Sequence, residues 1–279
     1  MRKKRHFKTI LLVCLAVLIC AGVFFVSMKF AKAPAGEQKT ATATGTVAKI
    51  TTGGNSVIIS DGTIAGYQIP IMMYHHIRDY NDPTDQIGTN LSVAPAKFAS
   101  QLDLIQQDGY QTITFNDILT KPLPKKPIIL SFDDGYQNFY DNAWPELKKH
   151  NMTAVVYIIV NDNSGMYMTP TEIKELSASG VEVGSHTLSH PDLSKGTIDK
   201  AKAEIFDSKA DLEKITGTKV VSFCYPSGKY NDAVIDAVKN AGYDFAVTTN
   251  GGIAKFSDPL TLNRHRMNSD TNISAYLSK

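Results

Sequence analysis

The chain has 279 residues, of which 43% are hydrophobic and 20% are charged, so its composition excludes an intrinsically disordered protein. The formal net charge is +2, but five basic residues lie within the first eight positions, and without them the rest of the chain carries −3. A mildly acidic chain without a basic stripe excludes nucleic acid as the expected partner.

The N-terminal segment, residues 1–30, has the pattern of a membrane anchor. A basic flank precedes an uncharged, mostly apolar run from Thr9 to Ser27. This run is long enough to cross a bilayer as a helix, and the flank predicts a cytoplasmic N-terminus with the rest of the chain outside the cell. We therefore predict a single-pass protein of the cell membrane. The alternative is a secreted protein cleaved near Ala33, because Ala31-Lys32-Ala33 fits a small-x-small cleavage site.

Two further segments follow the anchor. Residues 31–66 are rich in Ala, Thr, Gly and Ser, which predicts an extracellular linker, with a minor hairpin around Gly53-Gly54-Asn55. Residues 67–279 are numerous enough to form one domain with a sizeable core, and we expect this domain to be monomeric. Cys14 and Cys20 lie in the apolar run, so Cys224 has no partner for a disulfide within this domain.

Predicted strands and helices alternate along this domain. Apolar runs predict strands at 69–77, 110–115, 127–132, 153–160, 181–184, 220–225 and 245–248. Apolar spacing and capping residues predict helices at 94–108, 116–119, around Trp144 and Leu147, and at 171–177, 197–216 and 231–241. Predicted N-caps are Asn116, Thr169 or Thr171, and Asn231. This alternation is typical of an α/β fold with parallel strands and a site at their carboxyl ends.

The strand at 127–132 ends abruptly in Asp133-Asp134-Gly135. Two adjacent carboxylates at the end of a buried strand repel one another and lose hydration, so they require compensation. A divalent metal ion on one of them would provide it and leave the other free as a base. An ordinary Asp-Asp-Gly turn is the alternative, since turns favour the same residues.

His186 and His190 follow the strand at 181–184 and are four positions apart. If this segment turns helically, both imidazoles can face one ion, although a His-Pro turn at 190–191 is the alternative. With Asp134 they would form a set of two histidines and one carboxylate that leaves positions open for water and substrate. Zinc binds such sets, as do iron, cobalt and nickel.

The sequences S-F-D-D-G at 131–135 and S-H-T-L-S-H at 185–190 together resemble the first two motifs of the polysaccharide deacetylases. These metal-dependent esterases remove N-acetyl groups from amino sugars, and the resemblance extends over residues 70–279. It implies a distorted (β/α) barrel. It also implies that Asp133 is the general base and that Asp134, His186 and His190 bind a divalent metal, Zn²⁺ in the first place and Co²⁺, Ni²⁺ or Fe²⁺ as alternatives.

The resemblance assigns a general acid as well. A Tyr-His strand ahead of the Asp-Asp motif is a feature of the family subset that includes the poly-N-acetylglucosamine deacetylases of biofilm matrices. The sequence I-P-I-M-M-Y-H-H-I at 69–77 is similar to it. This implies His75 as the general acid, with His76 as the alternative, and histidine suits the task because its pKa lies near neutrality.

Two later motifs carry supporting roles in the family. Tyr225-Pro226-Ser227 occupies the place of the family's Arg-x-Pro-Tyr motif, without the usual arginine. It implies substrate contacts and a backbone N–H for the oxyanion, although Pro-Ser-Gly is also an ordinary turn. Arg264 matches a family arginine that orients the catalytic aspartate, and the alternative there is an exposed run of charge.

The implied function is hydrolysis of N-acetyl groups from N-acetylglucosamine residues of an extracellular polysaccharide. The position of the Tyr-His strand and the Tyr-Pro-Ser-Gly sequence favour poly-β-1,6-N-acetylglucosamine, with peptidoglycan or a chitin-like oligomer as alternatives. A hypothesis of a different class is a non-catalytic glycan-binding module. The presence of competent residues at Asp133, Asp134, His186 and His190 argues against it.

Overall fold

The computed structural model describes residues 49–52, 55–58, 69–161 and 164–277. Its strands are β1 (Lys49–Thr52), β2 (Asn55–Ile58), β3 (Ile71–Tyr74), β4 (His76–Ile77), β5 (Ser92–Val93), β6 (Gln111–Thr112), β7 (Pro127–Phe132), β8 (Val155–Ile158), β9 (Glu182–Ser185), β10 (Ser222–Cys224), β11 (Phe245–Val247) and β12 (His265–Arg266). Its α-helices are α1 (Gln86–Asn90), α2 (Pro95–Gln107), α3 (Phe115–Thr120), α4 (Trp144–Lys149), α5 (Pro170–Ala178), α6 (Ile198–Thr216) and α7 (Asp232–Asn240).

One parallel sheet forms the centre of the domain. Its strands follow the order β11-β10-β9-β8-β7-β3-β12, and β6 pairs with the beginning of β7. The segment after β11 bonds to both ends of this sheet, because Leu262 bridges to Val247 in β11 and His265 pairs with Met72 in β3. The sheet is therefore curled, which confirms the α/β class and matches the predicted distorted (β/α) barrel. The carboxyl ends of β3, β7, β9 and β10 share one edge.

Both faces of the sheet are buried. Along β7, Ile128, Leu130 and Phe132 pack into a cluster that contains buried residues of α2, α5, α6 and α7, whereas Ile129 belongs to a second cluster with residues of β3, β8, β10 and β11. Because successive side chains of a strand point to opposite faces, Asp133 follows Ile129 toward the inside of the curled sheet. Burial of each such apolar side chain contributes about 1.5–3 kcal/mol to the free energy of folding. Because both faces of β7 are covered, its sequence is a continuous apolar run.

The helix caps agree with the sequence at two positions and differ at a third. Thr169 caps α5 in a capping box with Glu172, and Asn231 caps α7. The predicted Asn116 cap is wrong, because Thr114 accepts the Asp117 N–H at 3.1 Å and the Asp117 carboxylate accepts the Thr114 N–H at 3.0 Å. The strand predicted at 110–115 consequently ends after Thr112, since the cap already begins at Thr114.

The antiparallel pairing of β1 with β2 confirms the predicted hairpin around residues 53–55. In the part of the chain that the structure describes, no helix has both the length and the apolar character needed to cross a membrane. The predicted anchor at 9–27 and the cleavage site near Ala33 lie outside the described residues. The boundaries of the anchor, the linker and the domain therefore stay predictions.

The capping box of α5 gives a direct test of this local structure. Replacing Thr169 by Ala removes the acceptor of the Glu172 N–H, so we expect the free energy of unfolding to fall by about 1 kcal/mol in urea denaturation. Thr171→Ala is the matched control, because Thr171 is exposed inside the helix and we expect a change below about 0.5 kcal/mol. Equal losses from both variants would contradict the assignment of the cap to Thr169.

Candidate functional site

The two adjacent carboxylates of the Asp-Asp-Gly sequence have different surroundings. Asp133 extends the pairing of β7, since its N–H donates to Tyr74 O at 2.9 Å. Asp134 has φ of 73°, in the left-handed region that non-glycine residues rarely adopt. Backbone strain of this kind persists only where the surrounding structure enforces it, and it is typical of functional sites. The change of direction at Asp134 places the two carboxylates next to different partners.

Asp133 forms a buried bidentate ion pair with Arg264. The Arg264 Nη1 and Nη2 atoms lie 2.6 and 2.7 Å from the two carboxylate oxygens, and the arginine side chain is fully buried. Further bonds fix the guanidinium, because Nε donates to Thr248 O at 2.9 Å and Nη1 donates to Ser131 Oγ at 3.1 Å. Fork-to-fork pairing of this type is strong and sets the orientation of the carboxylate. The alternative interpretation, that Arg264 belongs to an exposed run of charged residues, is therefore excluded.

The ion pair determines the protonation of Asp133. Burial alone would raise the pKa of its carboxyl group, but the charge and hydrogen bonds of Arg264 outweigh burial and lower that pKa below its usual range. Asp133 is therefore ionised at neutral pH, as a base that accepts a proton from water must be.

Asp134 converges with the two histidines predicted to bind a metal. Its Oδ1 atom lies 3.3 Å from His186 Nε2 and 3.7 Å from His190 Nε2. His186 Nδ1 is 2.7 Å from the carbonyl oxygen of Cys224, a partner that can only accept, so Nδ1 carries the proton. In the neutral ring, the lone pair of Nε2 consequently faces Asp134 and His190.

The loop between the two histidines is not helical. Thr187 has φ of 71° and His190 has φ of 57°, so the segment turns through left-handed conformations instead of a helical turn. Glu204 of α6 holds this loop, because its carboxylate accepts the N–H groups of Leu188 and Ser189, each at 2.9 Å. The convergence of the histidines is as predicted, but the helical turn that was expected to produce it is wrong.

The donor atoms of Asp134, His186 and His190 all lie within 4.8 Å of one another. Two imidazoles and a carboxylate are the ligands of catalytic zinc sites that keep a position open, so these residues fit the metal implied by the sequence. A second group, Asp133, His186 and Cys224, also lies within that distance. It fits less well, because Arg264 occupies both oxygens of Asp133 and burial raises the pKa of the Cys224 thiol.

His75 is the histidine that lies beside the Asp133 carboxylate. Its Nε2 atom is 3.8 Å from Asp133 Oδ2, and its Nδ1 atom is buried without a hydrogen-bond partner among the described residues. Burial lowers the pKa of His75, and the carboxylates of Asp133 and Asp134 oppose that change without outweighing it. His76 points elsewhere, since its Nδ1 atom lies 2.9 Å from Asn138 Nδ2.

Comparison with known proteins agrees with this geometry. The family model described as polysaccharide deacetylase matches residues 120–246, which include Asp133, Asp134, His186 and His190. The solved structure of a Streptococcus pyogenes deacetylase, PplD, in complex with acetate has a TM-score of 0.71 and 32% sequence identity to this chain. The aligned region covers 76% of this chain and 99% of the Streptococcus chain. The chain belongs to the polysaccharide deacetylase family. It is therefore a deacetylase enzyme.

Two curated relatives of this deacetylase differ in the substrate that they are named for. The poly-β-1,6-N-acetyl-D-glucosamine N-deacetylase of Staphylococcus epidermidis is 26% identical over 63% of this chain and 70% of its own length. A Bacillus subtilis peptidoglycan-N-acetylmuramic acid deacetylase is 32% identical over 43% of this chain, and the chain spans only 45% of that relative's length. The relatives thus support deacetylation of a polysaccharide and leave the choice of polymer to further evidence.

The residues predicted for substrate and oxyanion contacts are placed as follows. Tyr225 is fully buried, its hydroxyl donates to Leu260 O at 3.0 Å, and its N–H donates to Val247 O at 3.2 Å. Pro226 has no N–H to donate. The Tyr225 N–H is already bonded, so the predicted oxyanion contact requires the backbone N–H of Ser227, a residue with φ of 51°. The contact itself stays a prediction.

Two residues of the deacetylase site had no predicted role. Ser131 accepts a hydrogen bond from Arg264 Nη1 and donates to Met72 O at 2.7 Å, so it helps to hold the ion pair. Tyr136 hydrogen-bonds Asp134 through its side chain. Both flank the Asp-Asp-Gly sequence. Strand alternation could have placed Ser131 on the face of Asp133, but no pattern identifies the partner of Tyr136.

The buried ion pair can be tested by its effect on stability. Arg264→Met leaves the Asp133 carboxylate buried without its bidentate partner, so we expect the free energy of unfolding to fall by about 3–5 kcal/mol in urea denaturation. Adding Asp133→Asn to this variant should restore part of the loss, because an amide carries no charge. Arg266→Met is the control, since Arg266 is exposed and its loss should cost below about 0.5 kcal/mol. Equal losses at Arg264 and Arg266 would contradict this role.

Proposed function

We propose that the enzyme hydrolyses the N-acetyl groups of N-acetylglucosamine residues in poly-β-1,6-N-acetylglucosamine. The observation that carries the proposed chemistry is the ionised Asp133, which Arg264 holds 3.8 Å from His75 and which directly precedes the metal ligand Asp134. A base, an acid and a metal set next to one another are the groups that amide hydrolysis requires.

The protein residues divide the proton transfers between them. Asp133 accepts a proton from the water molecule that attacks the acetamide carbonyl, and Arg264 keeps its carboxylate oriented for that task. His75 donates a proton from its imidazolium form to the nitrogen of the leaving amine, which would otherwise be a poor leaving group. Because burial lowers the pKa of His75, this form is the minority at neutral pH in the ligand-free site, and catalysis uses the protonated fraction. The backbone N–H of Ser227 donates to the oxygen that becomes negatively charged. The products are acetate and a glucosamine residue, which makes the polymer cationic.

Asp134, His186 and His190 would hold the metal ion, and we propose zinc. When bound, such an ion polarises a carbonyl group and lowers the pKa of water toward neutrality. The Cys224 carbonyl supports the first histidine by accepting its Nδ1–H, and the Tyr136 hydroxyl supports the carboxylate.

Two observations favour poly-β-1,6-N-acetylglucosamine over other polymers. The Tyr-His strand precedes the Asp-Asp motif, as in the biofilm-type subset of the family, and the Staphylococcus epidermidis relative is named for this substrate. Peptidoglycan is the second candidate, because a Bacillus subtilis relative is named for its N-acetylmuramic acid.

We also propose that the N-terminal segment anchors a monomeric enzyme at the outer face of the cell membrane. Protease treatment of intact cells would test this location.

Release of acetate by the purified full-length protein tests the reaction and the substrate together. We expect release from poly-β-1,6-N-acetylglucosamine that stops after chelation and returns with zinc, and none from peptidoglycan or chitin oligomers. Asp133→Asn is the control for catalysis, since it should still bind the polymer while losing at least about 10²-fold in rate. Release from peptidoglycan alone would overturn the substrate. Binding of the polymer without release from any of the three would favour the non-catalytic binding module.

The two neighbouring histidines allow a matched test of the acid. We expect His75→Gln to lower kcat for the polymer by about 10²–10⁴-fold, because glutamine cannot deliver a proton to the amine. His76→Gln should have a smaller effect, since Asn138 and not the catalytic carboxylate is the partner of His76. The measurement is steady-state acetate release by both variants. A larger loss in His76→Gln would transfer the role of general acid to His76.

A further inference from the structure

A cavity of about 220 Å³ opens directly beside the metal ligands. Its walls combine two of those ligands with aromatic, aliphatic and neutral polar side chains: Asp134, His190, Tyr136, Tyr167, Ile159, Asn161 and Ser189. A ligand group bound in this cavity would therefore lie directly next to an acetamide bound at the metal site. The proposed mechanism uses none of Tyr167, Asn161 and Ser189.

A stack of three aromatic rings leads into this cavity. The ring of His76 lies 3.7 Å from that of Tyr136 at an interplanar angle of 23°, and Tyr136 lies 5.0 Å from Tyr167 at 22°. Burial lowers the pKa of His76 to about 4, so its ring in the stack is uncharged at neutral pH. The stack runs from His76, which is buried, to Tyr136 and Tyr167, which are half-buried and line the cavity.

The backbone fixes the end of this stack. Tyr167 pairs with Tyr136 in an antiparallel β-bridge. Two backbone hydrogen bonds flank this bridge: the Gln137 N–H donates to Met166 O at 2.8 Å, and the Met168 N–H donates to Gly135 O at 3.0 Å. Tyr167 is thus tied to the residues that immediately follow Asp134. An aromatic surface held in place in this way loses little conformational freedom when a ligand binds.

We propose that this cavity is a subsite for the pyranose ring next to the one being deacetylated, with Tyr167 as its stacking residue. The inference rests on the proposed function. A pyranose has an apolar C–H face that packs on an aromatic ring and hydroxyl groups at its edge that need partners. The Asn161 amide can donate and accept. Ser189 Oγ donates to Glu204 at 2.6 Å and so offers its lone pairs.

The charges of the lining define the sugar further. Among the described residues that line the cavity, the ionisable side chains other than the tyrosines are Asp134 and His190, which face the metal site. Among these lining residues there is no lysine or arginine that would pair with the carboxylate of an acidic sugar. The subsite therefore suits a neutral N-acetylglucosamine and disfavours a sugar that bears a carboxylate.

Binding of oligosaccharides to the full-length protein tests this subsite. The probes are N-acetylglucosamine and its β-1,6-linked tetramer, titrated by calorimetry into chelator-treated protein so that no hydrolysis occurs. We expect the tetramer to bind at least about tenfold more tightly than the monosaccharide. Tyr167→Ala should remove about tenfold of the tetramer's affinity, while Tyr167→Phe should keep it, because the ring and not the hydroxyl stacks.

Tyr140→Ala is the matched control, since Tyr140 packs on Trp144 with its ring centroid 4.9 Å away and does not line the cavity. If Tyr167→Ala fails to fold, Tyr167→Leu tests the same point, because leucine keeps bulk without a flat ring. Equal binding of monosaccharide and tetramer to the unmodified protein would overturn the subsite, as would unchanged tetramer affinity in both Tyr167 variants. A tetramer that binds as expected but releases no acetate after zinc is restored would overturn the proposed function and leave the subsite intact.

Discussion

The buried pair of Arg264 and Asp133 is the interaction on which the site depends. Moving either charge alone into the interior would cost several kcal/mol. Their bidentate contact offsets this cost only because Thr248 and Ser131 complete the hydrogen bonding of the guanidinium. The pair also connects distant parts of the chain, since Asp133 follows β7 and Arg264 precedes β12. The same contact thus joins the end of the curled sheet to its centre and keeps a carboxylate ionised at the strand edge.

Two adjacent aspartates can perform different tasks because the backbone separates their environments. Asp133 continues the strand and meets a guanidinium, whereas Asp134 turns through a left-handed conformation and meets two imidazoles and the Tyr136 side chain. Without that turn, strand alternation would direct the Asp134 carboxylate to the face of the sheet opposite Asp133, away from the two imidazoles. The strained backbone at Asp134 and His190 is therefore part of how the sequence Asp-Asp gives one carboxylate a guanidinium partner and the other two imidazole neighbours, as the proposed base and metal ligand require.

The sequence predicts more of the candidate site residues than of the residues that hold them in place. Apolar runs placed Asp133, Asp134 and His186 at the ends of strands, and parallel strands bring their carboxyl ends to one edge of the sheet. The conformation of the loop up to His190 could not be predicted, because its left-handed turns depend on Glu204, which lies on a later helix. Arg264 was ambiguous for a similar reason: a single arginine carries no sign of the carboxylate it will meet. The two-residue strand β12 is too short to have a periodicity at all.

The proposed acid and the proposed sugar subsite both depend on the residues that follow β3. Neighbouring residues at a strand end face opposite directions, so His75 lies beside Asp133 while His76 lies beside Asn138 and stacks on Tyr136. A histidine pair at this place therefore gives one ring to the reacting centre and the other to the aromatic stack that leads to Tyr167. In the proposed subsite and mechanism, a sugar on Tyr167 would be linked through the rings of Tyr136 and His76 to the residue adjacent to His75, beside which the acetamide would lie. Such coupling would let the polymer beyond the reacting residue help to orient the bond that is broken.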